Sequence, residues 1–114
     1  MKDDSPNGHG TCGASKAAGI LYGSAKASEL VVVKMRGITT TEISQVFDLV
    51  LRDIQAHNLQ NKAVVSCSFG SKEPVDLANL SNAWKSAKRQ MQVLIQNNVV
   101  VVVSGGNIKA KAPG

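Results

Sequence analysis

Aromatic residues, cysteine, proline and long apolar runs are all scarce in this chain of 114 residues, and each scarcity removes a class of protein. The longest wholly apolar run, Val99 to Val103, falls far short of the roughly 20 residues that a membrane-spanning helix needs. Met1-Lys2-Asp3-Asp4-Ser5-Pro6 has no apolar stretch behind its lysine, so the start of the chain does not read as a secretory signal peptide. Two cysteines, Cys12 and Cys67, cannot make a disulfide framework; they are compatible with one bridge or with two thiols. The aromatics are Tyr22, Phe47, Phe69 and Trp84, and none sits among basic residues as a nucleic-acid stacking platform would require. A net charge of +5 does raise the question of an acidic partner. The basic residues are scattered from Lys2 to Lys111, however, and only Lys85, Lys88 and Arg89 cluster, at spacings that put them on the exposed side of a helix. We therefore read the charge as a solvated surface, with neither nucleic acid nor membrane as partner.

What is present suits one folded domain. Hydrophobic residues make up 43% and charged residues 18%, with a mean hydropathy of -0.04, which is not the composition of a disordered protein. A domain of this length buries about two-thirds of its unfolded surface.

The patterning alternates between two periods. His9 to Tyr22, rich in Ala, Gly and Ser, predicts a helix of small residues that stops at Gly23. Leu30-Val31-Val32-Val33-Lys34-Met35 predicts a strand buried on both faces. Thr39 and Glu42 form a capping-box pattern, after which Ile43, Val46, Phe47, Val50 and Ile54 make one apolar stripe of a helix ending near Asn58. Lys62 to Ser68 predicts a second strand, ended by Gly70-Ser71. A second long helix is expected from about Asp76 to Asn97, its stripe Leu80, Trp84, Ala87, Met91, Leu94 and Ile95, with Asn97-Asn98 as C-cap. Val99 to Val103 is the third strand, stopped by Ser104-Gly105-Gly106-Asn107. Strands separated by helices of this length imply βαβ crossovers, hence a three-layer α/β fold with a parallel sheet and flanking helices. Ligands of such sheets collect at the carboxyl ends of the strands, which singles out Arg36-Gly37, Ser68 to Ser71 and Ser104 to Asn107.

Gly8-His9-Gly10-Thr11-Cys12-Gly13 satisfies G-x-G-x-x-G and opens a helix, as a dinucleotide-binding loop does. That mechanism needs a strand just before the first glycine, and Met1 to Asn7 is polar and carries a proline. Lys34 and Arg36 also stand near where the fingerprint expects an acid, so the surviving version is a small NADP-binding module. A longer string supports another reading. Gly8-His9-Gly10-Thr11, Ala14, Gly19, Tyr22-Gly23, Ala25 and Leu30 to Lys34 together resemble the histidine-bearing segment of the subtilisin-like serine proteases, the subtilases or peptidase family S8. Ser68-Phe69-Gly70 looks like that family's S-x-G substrate-binding segment, and Gly106-Asn107 like the G-N that closes its oxyanion hole. The HGTC start and the ASKAAG continuation look most like secreted fungal members.

The resemblance implies His9 as general base, Asn107 as oxyanion-hole donor, and Ser68, Phe69 and Gly70 as a backbone edge on which an extended peptide or protein substrate lies like an added strand. It implies serine endopeptidase chemistry and an extracellular setting, identifies no cofactor, and leaves calcium as a ligand of the complete family domain. His57, near the end of the Thr39 helix, has no catalytic context, and Cys12 lies one turn along the helix from His9 rather than facing it across a cleft. The family's order is Asp, His, Ser. Asp3 and Asp4 are too near His9 to be its acid, Ser104 lies in S-G-G-N rather than G-T-S-x-A, and Ser15-Lys16 replaces the usual glycine after Ala14. The expectation is that residues 1–114 form part of a subtilisin-like peptidase domain without its Asp-bearing and Ser-bearing parts, inactive alone. A non-catalytic relative that binds peptides or a protease partner is the alternative.

Overall fold

The computed structural model describes residues 7–37, 39–69 and 82–105. The chain divides into two compact units, Met1–Val32 and Val33–Gly114. The described elements in order are α1 (His9–Ala18), α2 (Thr40–Ala56), β1 (Val64–Cys67), α3 (Asn82–Gln96) and β2 (Val100–Val103).

In the first unit α1 buries none of its residues and ends at Gly19, earlier than the expected stop at Gly23. Gly19 turns to extended backbone, and the backbone then folds back on the helix: Ser24 N–H donates to Lys16 O at 3.1 Å and Ala25 N–H to Ala17 O at 2.8 Å. Gly23 is buried in this turn, where a Cβ would overlap the backbone of Gly19. Ile20, Leu21 and Tyr22, expected inside the helix, stand exposed in the turn.

The second unit is held by α2 and α3. Thr39 and Glu42 close the capping box in both directions, with Glu42 N–H to Thr39 Oγ1 and Thr39 N–H to Glu42 Oε2 both at 3.2 Å. The α2 stripe is the expected one: Ile43, Phe47 and Ile54 are buried, and Val50 packs against them. From α3, Ala87 and Leu94 are buried, with Trp84 and Met91 packed against the cluster. Ile95, one residue and about 100° beyond Leu94, is 55% exposed and lies off the stripe on which the periodicity placed it. The expected start of this helix, Asp76 to Leu80, lies outside the described residues. Between the helices Ser44 Oγ lies 3.1 Å from Ser86 Oγ and 3.3 Å from Gln90 Oε1; its one hydroxyl proton goes to the amide oxygen when the Ser86 hydroxyl donates to it, which satisfies polar groups that the contact half-buries.

Both helices end the same way. Asn58 and Asn98 adopt left-handed backbone, with φ of 52° and 57°. Leu59 N–H reaches Ile54 O at 2.9 Å and Val99 N–H reaches Leu94 O at 3.1 Å, while Asn58 and Asn98 bond back to Gln55 and Ile95. These are two Schellman caps with asparagine where glycine is commonest. The residue before each asparagine adds a contact through its own side group: Asn97 Nδ2 donates to Val93 O at 2.8 Å, and His57 Nδ1 lies 3.0 Å from Asp53 O. The second cap delivers Val99, itself buried, straight into β2.

β1 and β2 pair in parallel, Val64 opposite Val100 through Cys67 opposite Val103. Val65, Cys67 and Val101 face the helices, whereas Val64, Val100 and Val102 on the other face are exposed. The α/β fold with a parallel sheet is thus the one the sequence indicates. The expected strand Leu30–Met35 is not part of it: residues 30–35 form no strand, and Leu30 to Val33 are exposed. A β-branched run becomes a strand only where another segment supplies its ladder, and among the described residues none pairs with residues 30–35.

Asn98→Gly should leave the urea midpoint unchanged or slightly raised, whereas Asn98→Val should cost about 1–2 kcal/mol for forcing a β-branched residue to positive φ; equal effects would contradict the cap. Cys12 and Cys67 are both free thiols, the first exposed and the second buried, and burial pushes the Cys67 thiol up from its ordinary range. A thiol reagent should label Cys12 first, and Cys67 at a comparable rate only in urea. As pH rises into the ordinary thiol range, the unfolded protein releases the Cys67 proton before the folded one does, so stability is full below that range and falls through it. Cys67→Ala should flatten this slope in pH-dependent urea melts.

Candidate active site

His9 is the first residue of α1 and is exposed. The residue before it, Gly8, is the N-cap and holds φ 60°, ψ 36°, a left-handed conformation that favours glycine. Its carbonyl accepts Cys12 N–H at 2.9 Å, and Gly8 itself makes no side-chain cap bond. The first turn carries no acidic residue. Asp3 and Asp4 lie outside the described residues.

On the same unit, Thr11, Ala14, Ser15, Ala18, Gly19 and Leu30, with Ser28, line an open, mostly apolar groove of about 390 Å³. At 100° per residue, the helical members of that lining lie roughly 180° around α1 from His9. The groove and the histidine therefore belong to different faces, while Cys12, at i+3, is on the His9 side.

In the second unit the carboxyl ends of β1 and β2 lie together. The ladder continues one step past the strands, with Ser104 N–H donating to Cys67 O at 3.0 Å, so the segments that begin at Ser68 and Ser104 leave the sheet side by side. Ser68 is exposed. Phe69 is half-buried and packs against the core, which anchors the backbone at this point. Gly105 is exposed, and a Cβ there would meet nothing within 4 Å. Gly70, Gly106 and Asn107 lie outside the described residues.

The second histidine is structural in its surroundings. His57 caps α2, with Nδ1 3.0 Å from Asp53 O and 3.2 Å from Asp53 Oδ1. Among the described residues no group of three or more His, Cys, Asp or Glu is placed to hold a metal ion, and no helix is long and apolar enough to cross a membrane.

Comparison with known proteins gives this geometry a family. The chain matches the Subtilase family, Peptidase_S8, over residues 2–114. It is 32% identical over 107 residues to subtilisin-like proteinase Mp1 of Magnaporthiopsis poae, covering 88% of this chain and 24% of that protein. It is 35% identical over 104 residues to an alkaline proteinase of Hapsidospora chrysogena, covering 89% of this chain and 23% of that protein. It is 39% identical over 105 residues to subtilisin-like protease 2 of Trichophyton rubrum, covering 88% of this chain and 22% of that protein. No solved structure matches. The chain spans about a quarter of the length of these curated relatives. With a match along nearly its whole length and relatives of this kind, the chain belongs to the subtilase family of serine proteases.

Proposed function

We infer that residues 1–114 form part of a subtilisin-like endopeptidase domain and carry its general base, its oxyanion donor and one wall of its substrate cleft. His9 takes the proton of a serine hydroxyl and returns it to the leaving amine. Asn107 donates to the oxyanion of the tetrahedral intermediate; in subtilisin, the reference case, loss of the equivalent asparagine costs about 10² to 10³ in rate. Ser68, Phe69 and Gly70 offer backbone to an extended peptide, which adds as a strand. The observation that carries this reading is the hydrogen bond from Ser104 N–H to Cys67 O, which puts the start of the S-x-G segment beside the start of the S-G-G-N loop. A peptide paired along the first would present its carbonyl toward the second.

The substrate is a protein or extended peptide, and the setting is extracellular. The Subtilase match spans residues 2–114, Gly8 to Gly13 among them, which supports the peptidase reading of the glycine pattern over a dinucleotide-binding one. The 114 residues by themselves do not hydrolyse peptides, because no G-T-S-x-A nucleophile is among them. Loss of the serine alone removes about six decades of turnover in subtilisin.

A fluorophosphonate serine probe should leave the chain unlabelled while labelling a full-length fungal subtilase; stoichiometric labelling would overturn the inactivity. Genomic sequence flanking the coding region separates a peptidase piece from a non-catalytic relative. An Asp-bearing strand motif upstream and G-T-S-x-A downstream, in frame or across introns, are expected. If the complete protein carries them, His9→Ala should lower its kcat by about 10⁶ with KM little changed.

A further inference from the structure

The string around His9 is preceded by an asparagine whose side chain the peptidase reading does not use, and Asn7-Gly8 is the single Asn-Gly dipeptide in the sequence. Asn7 is an exposed turn residue immediately before α1. Gly8, at the N-cap, gives its carbonyl to the helix and keeps its N–H outside the helix's own ladder. It has no side chain to shield that nitrogen from the neighbouring amide. We propose that Asn7 is a self-modification site, at which the side chain loses its amide and leaves a carboxylate at the start of α1.

The step balances with water as the sole co-reactant. The Gly8 backbone nitrogen, its proton removed by solvent base, attacks the amide carbon Cγ of Asn7, and the new bond between them closes a five-membered imide. The bond from Cγ to Nδ2 breaks, and that nitrogen takes up a proton and leaves as ammonia. Water then adds to one of the two imide carbonyls and breaks its bond to the Gly8 nitrogen. Opening at Cγ gives aspartate, and opening at the main-chain carbon gives isoaspartate; no atom is oxidised or reduced.

The location gives the product a physical effect. The first turn of α1 holds no acid, so the new carboxylate meets the positive end of the helix dipole without competition from that turn. The modification itself does not rest on His9 being the general base.

Three asparagines serve as internal controls. Asn58, Asn61 and Asn98 are exposed and all have positive φ, but Leu59, Lys62 and Val99 follow them, each with a side chain that crowds the attacking nitrogen. The folded chain of 114 residues, held in mildly alkaline buffer and sampled by peptide-mapping mass spectrometry, should convert Asn7 to aspartate and isoaspartate at least several-fold faster than the controls. Gly8→Ala should slow Asn7 to their rate, both folded and in urea, since urea removes any change the substitution makes to α1. The proposal is overturned if Asn7 keeps its amide in the folded protein while converting in urea, or if Gly8→Ala leaves the rate unchanged. Neither result would bear on the peptidase reading, which His9→Ala in the complete protein tests separately.

Discussion

One apolar stripe from α2 and one from α3, buried over a single face of a two-strand parallel sheet, is the constraint on which the rest of the second unit depends. Ile43, Phe47, Ile54, Ala87, Leu94 and Val99 are all buried, and Leu94 has no exposed surface at all. Full burial of an isoleucine, leucine or phenylalanine is worth about 1.5–3 kcal/mol, so a few such positions outweigh the polar contacts between the helices. The helix ends then set direction. Because Leu94 belongs to the core and also accepts the cap bond from Val99, burying α3 fixes where the backbone re-enters the sheet. The parallel register that follows is what brings Ser68 and Ser104 side by side.

The sheet's other face behaves differently. Val64, 66% exposed, and Val100 and Val102 present an apolar surface to solvent, although parallel sheets are normally covered on both sides. In β2 the two faces have the same chemistry in sequence, since Val100 to Val103 is one uninterrupted valine run. Which face is covered depends on what packs there, and a strand's own residues do not encode that.

The same distinction explains how much of the molecule is legible in its sequence. The helices α2 and α3 are legible because their signals are local: a capping box at Thr39 and Glu42, stripes at helical spacing, and asparagines able to hold positive φ. Leu30 to Met35 misleads because strand character is a property of a pair, and the composition of one member cannot supply the other. The stop of α1 at Gly19 rather than Gly23 reflects a choice between two glycines that the fold-back of Ser24 and Ala25 decides. For the site, the motif string reaches His9, Ser68 and Phe69 at a helix start and a strand end, where those elements lie. The apolar groove beside Thr11 and Ser28 has no signal in the sequence, since it arises from the fold-back rather than from any motif.

The central claim is that β1 and β2 pair in parallel and carry the Ser68 and Ser104 segments out of the sheet together. Amide hydrogen exchange, read by NMR on the folded protein, tests it most directly. The Ser104 N–H, bonded to Cys67 O beyond the last strand residue, should be protected well above the rate of an exposed loop amide and should lose that protection together with the strand amides as urea is added. A Ser104 amide exchanging at the free-loop rate, while the α2 and α3 amides stay protected, would contradict the account.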